Sequence, residues 1–245
     1  MKDVFISGGT GTIGSQIVRS FVESDYRVTF SYNRHHEQAL ELSRRYNVTA
    51  HQINFRSDWQ PPKTNVDILI NNAGVNLSGH LFNDTSDDEV LISNQVNLMA
   101  ALRFSRQYAP RMTTKKYGRI ININSLYGLT APPRRLSYSI SKFALRALTM
   151  TLAQELAPFG ITVNDICPGP VDSDMLRAMG AEAVARGRYP SVSAYLEAVG
   201  SEVPIGRLIT PEEVAAVALF LASDAASACT GQAICIDGGL LHRGP

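Results

Sequence analysis

Along the chain, short apolar runs with a two-residue rhythm alternate with longer stretches in which apolar residues recur every three or four positions. Residues 4–6, 28–32, 48–53, 66–70, 119–124, 161–167 and 233–236 read as strands. Helical spacing covers residues 13–22, 37–46, 87 to about 112, and 137–158, with a last helix opened by Thr210-Pro211-Glu212-Glu213. Thr210 is its expected cap and Pro211 its first residue; Thr85 and Ser86 can cap the helix that starts near Asp87. Strands alternate with helices without internal repeats, which predicts an α/β fold: a doubly wound parallel sheet of about seven strands in a single domain, residues 1–245. Two segments depart from this rhythm. Between residues 54 and 65, where a crossover helix is usual, Pro61 and Pro62 rule out a helix interior, so a loop is expected. Residues 172–209 are polar and broken by glycines and prolines, with short helical patterns at 175–186 and 192–199, and read as a mobile lid beside a strand end.

The first strand runs directly into Ser7-Gly8-Gly9-Thr10-Gly11-Thr12-Ile13-Gly14 and then a helix. Strand, glycine loop and helix form the context for dinucleotide binding in a Rossmann-like sheet. Gly8 is expected to make the tight turn, Gly11 to admit the pyrophosphate, and Gly14 to allow close packing, with phosphates over the helix amino terminus. Past the second strand come Asn33 and Arg34, without the acid that usually takes the ribose hydroxyls of NAD; an arginine there favours the extra phosphate of NADP. His35 and His36 lack the further ligands a metal needs, so no metal site is expected. Asn71-Asn72-Ala73-Gly74 closes the fourth strand with small residues over which a cofactor can lie.

Ser125 ends the fifth strand, and Tyr138 and Lys142 fall one turn apart on the following helix. A nearby ammonium favours the phenolate, so Lys142 is expected to lower the Tyr138 pKa and make it a general acid/base. Ser125 can donate a hydrogen bond to the oxygen on which charge develops as a carbonyl is reduced. Arg135, three residues before Tyr138, offers a fork that matches a carboxylate; the alternative is that Arg134 and Arg135 both form a solvated loop tip.

Composition narrows the function classes. With a formal charge of +1 and interspersed signs, nothing marks a nucleic-acid or anionic-membrane partner. Cys167, Cys229 and Cys235 form no C-x-x-C and read as reduced structural cysteines of a cytoplasmic protein rather than zinc ligands. The amino terminus enters a strand pattern at once, so no signal peptide is expected, and no apolar run reaches membrane-spanning length.

The glycine loop, Asn71-Asn72-Ala73-Gly74, Asn97, Ser125, Tyr138-x-x-x-Lys142, Pro168-Gly169 and Asp237-Gly238-Gly239 stand in the order that identifies the chain as similar to the short-chain dehydrogenase/reductases. The likeness covers the whole length and is nearest the bacterial beta-ketoacyl carrier-protein reductase branch. It implies that hydride passes between a nicotinamide and a carbonyl or alcohol carbon, with Tyr138 as acid/base. Lys142 would also bind the nicotinamide ribose, Ser125 would hold the substrate oxygen, and Asn97, otherwise an exposed helix amide, would hold a relay water. Cofactor contacts implied are Gly8, Thr10, Gly11, Thr12, Ile13, Gly14, Arg34, Asn54, Phe55, Asn72, Ala73, Gly74, Tyr138, Lys142, Pro168, Gly169, Val171 and Ser173. The substrate would meet Ser125, Tyr127, Arg135, Tyr138 and Met175. Relatives are commonly tetramers built through the two long helices, so a homotetramer or homodimer is implied.

Three positions depart from that branch. Thr12 replaces a glycine, which leaves the G-x-x-G-x-x-G spacing of epimerase-like relatives. The loop lacks a basic residue, and Asn54 stands where an aspartate is usual. The expected activity is an NADP(H)-dependent reductase of a small carbonyl or alcohol compound. Its alternatives are an NAD-dependent dehydrogenase, an epimerase or lyase using the cofactor transiently, and a non-catalytic dinucleotide sensor.

Overall fold

The computed structural model describes residues 1–77 and 79–242; positions 243–245 of the expected domain lie outside the described residues. The strands are β1 (Asp3–Ile6), β2 (Arg27–Tyr32), β3 (Thr49–Gln52), β4 (Ile68–Asn71), β5 (Gly118–Ile123), β6 (Ile161–Pro168) and β7 (Ala233–Ile236). The longer helices are α1 (Thr12–Glu23), α2 (His36–Tyr46), α3 (Asp87–Asn94), α4 (Ala100–Lys115), α5 (Leu136–Leu156), α6 (Asp174–Ala185), α7 (Val192–Glu202) and α8 (Pro211–Ala222). Among the described residues the seven strands form one parallel sheet in the order β3-β2-β1-β4-β5-β6-β7. The chain winds outward from β1 to β3 and then returns to place β4 on the other side of β1. That reversal opens a crevice at the carboxyl ends of β1 and β4, where this topology binds ligands.

Because neighbouring strand residues point to opposite faces, β1 feeds two cores. Val4 and Ile6 join Ile17, Phe21, Phe30, Val214 and Leu221 on one face. Phe5 joins Leu69, Phe104, Met112 and Ile120 on the other. Residues 54–65 contain no helix, and the vacated ground is covered by aromatic rings from the loop itself. Phe55 and Trp59 lie 5.8 and 5.0 Å from Phe104 of α4, and the Tyr108 hydroxyl donates to the Pro62 carbonyl at 3.0 Å.

The single helix expected from Asp87 to about Met112 is interrupted. Between α3 and α4, Gln95–Met99 forms a π-helical turn, a local widening that apolar spacing does not register and that often marks a functional site. Ser86, rather than Thr85, caps α3: its Oγ accepts from the Glu89 amide while the Glu89 carboxylate accepts from the Ser86 amide. Thr210 and Glu213 form the same reciprocal cap on α8, with Pro211 at its first position. The 172–209 segment is more regular than its composition suggests. Its two helices meet where Gly180 leaves room for the Tyr195 ring, and its ends are tied together by a parallel bridge between Val171 and Ile209.

Candidate active site

The glycine loop is shaped by contacts that exclude side chains. Gly8 has φ +70°, and a Cβ there would come within 2.9 Å of the Ala73 backbone; a Cβ on Gly14 would lie 2.1 Å from the Gly8 carbonyl oxygen. The close packing expected of Gly14 is therefore against the loop rather than the strand. Gly11 is exposed and meets little, which leaves the α1 amino terminus open to phosphates. Two polar side chains staple the loop to β4. Ser7 Oγ accepts from the Asn72 and Ala73 amides at 3.0 Å each, and Asn72 Nδ2 donates to the Ser7 and Gly8 carbonyls at 3.0 Å each. Asn72 thus acts from behind the cradle. Ser7, buried where β1 gives way to the loop, was not legible as functional because only the glycines of that stretch carry a conformational signal.

Several side chains expected at the cofactor are engaged within the protein. The Thr10 side chain is buried, and Ile13 packs onto the core. Phe55 turns its ring into the aromatic cluster, 4.8 Å from Trp59; burial of an aromatic ring outweighs any gain from exposing it. Asn54 is exposed and uses its Oδ1 to accept from the Arg56 amide. Thr12 makes a reciprocal pair with Asp174 at the start of α6: its hydroxyl donates to the carboxylate at 3.0 Å and accepts from the Asp174 amide at 3.1 Å. The residue in the unusual glycine position therefore fastens the 172–209 segment to the loop. Ser173 caps α6 through the Leu176 amide. Gly169 lies against Asp237, its amide donating to the Ile236 carbonyl at 2.9 Å, and Met175 is exposed on α6. Arg34 is exposed at the end of β2 with His35 and His36, and His36 Nδ1 lies 2.8 Å from the Tyr32 hydroxyl.

The proposed catalytic side chains converge. Tyr138 and Lys142 are buried on α5, and the Ser125 hydroxyl at the end of β5 hydrogen-bonds the Tyr138 phenol. Tyr127 stands edge-on to Tyr138, ring centroids 6.2 Å apart. Lys142 Nζ lies 5.6 Å from the centre of the phenol ring and donates to the Ile123 carbonyl at 2.9 Å. Burial pushes the phenol up to about 12 and the ammonium down to about 8. The expected lowering of the phenol by Lys142 is thus not what the chain alone produces, because desolvation of a fully enclosed phenol outweighs the hydrogen bond from Ser125 and the charge of Arg135, which lower it.

Asn97, expected as an exposed amide unless it held a water, is buried in the π-helical turn. Its Oδ1 accepts from the Val75 amide at 2.8 Å, and its Nδ2 donates to the Val75 carbonyl and the Ser141 hydroxyl at 2.9 Å each. Gly74 lies between Asn97 and Lys142: a Cβ there would sit 3.4 Å from Asn97 Oδ1 and 3.9 Å from Lys142 Nζ. Ahead of α5, Arg134 adopts φ +66°, turning the chain so that Arg135 enters the helix as its first flanking residue. Arg134 is exposed and Arg135 half-buried, its guanidinium 5.7 Å from the Tyr127 ring centre. The two arginines therefore do not share one solvated fate.

A parallel sheet with a glycine-lined switch-point crevice and a Ser–Tyr–Lys cluster at its rim defines the class of dinucleotide-binding α/β oxidoreductases. The chain belongs to the short-chain dehydrogenase/reductase family: residues 9–241 match the family model described as Enoyl-(Acyl carrier protein) reductase. It is 32% identical over 248 residues to the 3-oxoacyl-(acyl-carrier-protein) reductase FabG of Rickettsia prowazekii, covering 98% of this chain and 97% of the relative. The FabG of Aquifex aeolicus is also 32% identical, over 255 residues and the same shares of each chain. Among solved structures, a tryptophan variant of actinorhodin polyketide ketoreductase with NADPH superposes with a TM-score of 0.89 at 28% identity, covering 99% of this chain and 98% of that one. ElxO with NADP bound gives 0.84 at 26% identity, covering 99% and 100%. Among the described residues no helix is long and apolar enough to cross a membrane.

Proposed function

We propose that this chain is an NADP(H)-dependent reductase of a small carbonyl compound, or the corresponding alcohol dehydrogenase, and that it works in the cytoplasm. The reading rests on one observation, the convergence of Ser125, Tyr138 and Lys142 beside the glycine-lined crevice. The crevice fits a dinucleotide: Gly8 and Gly14 let the loop fold tightly on itself and on Ala73, Gly11 leaves the α1 amino terminus open to phosphates, and Lys142 and Gly74 stand together where a ribose hydroxyl can be held. When bound, the nicotinamide supplies or accepts the hydride at the carbonyl carbon. Tyr138 gives its phenolic proton to the carbonyl oxygen, and Ser125 holds that oxygen by a hydrogen bond. Asn97, fixed on Val75 and Ser141, holds the chain next to Gly74, beside Lys142, and can order a relay water there. NADP-bound relatives of the same fold support the cofactor assignment, as does the absence of an acid at Tyr32 and Asn33.

Arg34 carries the preference over NADH. One charge-assisted hydrogen bond to the 2′-phosphate is worth roughly 1.5–3 kcal/mol, so NADPH should be favoured about ten- to a hundredfold. Comparing the two kcat/KM values before and after Arg34→Ala tests this; an unchanged ratio assigns the preference elsewhere.

The substrate is proposed to carry a carboxylate or another anion. Arg135 stands over Tyr127; burial raises the phenols of Tyr138 and of Tyr195, the latter on α7 of the segment proposed as the lid, and the Arg135 charge reaches both and partly opposes that rise. A panel of matched keto acids and keto esters followed by NADPH absorbance tests the activity and this specificity together. Arg135→Ala should raise KM for the keto acids and leave kcat and the esters nearly unchanged, because the contact is common to ground and transition states. Equal efficiency on acids and esters in both enzymes would return Arg135 to a structural role.

A homodimer or homotetramer is also proposed. Ile140, Phe143 and Met150 on α5, Leu91 on α3 and Met99 in the π-helical turn are exposed apolar side chains, the kind of surface that a second copy would bury.

A further inference from the structure

A charged network lies behind the proposed site, and the mechanism above leaves it unused. Lys142, Arg146 and Thr149 follow the i, i+4, i+7 spacing on α5 and share the face turned to the sheet. Opposite them Asp165, in the middle of β6, has no exposed surface. Thr149 Oγ1 donates to its Oδ1 at 2.5 Å, and Arg146 Nη1 to its Oδ2 at 3.2 Å, while Arg146 Nη2 reaches the Gly231 carbonyl at 2.9 Å. The network continues across the sheet: Asn122, the register partner of Asp165, donates to Thr149 Oγ1 at 2.7 Å and accepts from Asn71 at 2.8 Å. Asn71 ends β4 beside the cofactor crevice, and the carbonyl that Lys142 engages belongs to Ile123, next to Asn122.

Enclosing a carboxylate costs several kcal/mol even when it is paired, and strands buried on both faces are ordinarily apolar. The groups facing Asp165 suggest what the charge does. Burial raises the Asp165 carboxyl above its usual range, and Thr149 and Arg146, which oppose that rise, hold its charge in place. Cys167, two residues along β6, has its thiol pushed up to about 12 by burial, so it is neutral at working pH. Cys235 of β7, beside Cys167, is likewise raised by burial. Tyr138 is protonated. Lys142 remains, a buried ammonium that desolvation disfavours and that the Asp165 charge supports.

We propose that Asp165 is a positioning residue of this site: its buried carboxylate, fixed by Arg146 and Thr149, is the countercharge that keeps Lys142 an ammonium beneath Tyr138. The proposal rests on the reading of Tyr138 and Lys142 as the acid–base pair. A plain structural tie between α5 and β6 is the competing account, and the two differ at Lys142.

Lysine labelled with carbon-13 at Cε lets the Lys142 resonance, assigned by its loss in Lys142→Met, be titrated by NMR without any substrate. The wild-type midpoint is expected near 8; a midpoint below about 7, a neutral lysine at working pH, would overturn the proposal. In Asp165→Asn the midpoint should fall by about one pH unit, which leaves about half of Lys142 charged at pH 7 and reduces turnover there about twofold. The double variant Asp165→Asn with Arg146→Met removes the unpaired guanidinium and should recover folding, since a neutral pair often replaces a buried ion pair without loss. Its Lys142 midpoint should stay low; a return to the wild-type midpoint and turnover would leave only the structural tie. If Lys142→Met turns over substrate as the wild type does, the acid–base reading itself fails, whatever the NMR midpoints show.

Discussion

Tyr138→Phe should keep the fold and the affinity for NADPH while losing about 10²–10⁴-fold in turnover. The substitution removes one oxygen from a ring that is otherwise held by packing, 9% exposed and edge-on to Tyr127. It deletes the partner of the Ser125 hydroxyl and the only proton that the phenol can offer the developing alkoxide. An interaction needed in the transition state and not for binding should lower kcat and kcat/KM together. Fluorescence titration with NADPH and turnover on a keto substrate, run side by side, separate the two effects. A variant retaining more than about a tenth of wild-type turnover would take Tyr138 out of the acid–base role.

Phe104→Ala should produce the largest loss of stability, about 3–5 kcal/mol. Phe104 is fully buried, with ring centroids 4.8 Å from Phe5, 5.0 Å from Trp59 and 6.2 Å from Tyr108. Three elements meet at this ring: β1, the 54–65 loop, and α4, which carries both Phe104 and Tyr108. Without it the loop loses the surface on which Phe55 and Trp59 are folded. For a chain of this size the loss corresponds to a fall of roughly 6–20 °C in Tm, measured by thermal unfolding. A fall under about 3 °C would mean that the loop is not held by this cluster. The Ser125–Tyr138–Lys142 set lies elsewhere, so turnover of the folded fraction at low temperature should persist.

The alternation of strand and helix was readable because each element buries one face, and period two or period 3.6 is the trace that burial leaves. The missing crossover helix was equally readable, since Pro61 and Pro62 forbid it locally. What replaced it was not, because Phe55 and Trp59 meet Phe104 some fifty residues away, and Phe55 in a loop after a strand resembled a cofactor contact. The π-helical turn escaped for a related reason: one extra residue in a helix barely shifts the apolar pattern, yet it buries Asn97 at the site instead of leaving it in solvent.

By itself the sequence determined the sheet, the glycine loop and the Tyr138–Lys142 spacing, all of which follow from local geometry over a few residues. Tertiary structure alone decided which of those residues face the crevice and which brace it: Asn72 and Ser7 behind the loop, Thr12 fastened to Asp174, Arg135 separated from Arg134. It also decided the electrostatics. A phenol and an ammonium one helical turn apart suggest mutual stabilisation, but the enclosing fold strips both of water, and desolvation then moves each away from its charged form. The compensating charge, Asp165, comes from a strand more than twenty residues beyond Lys142, and no local pattern announces it.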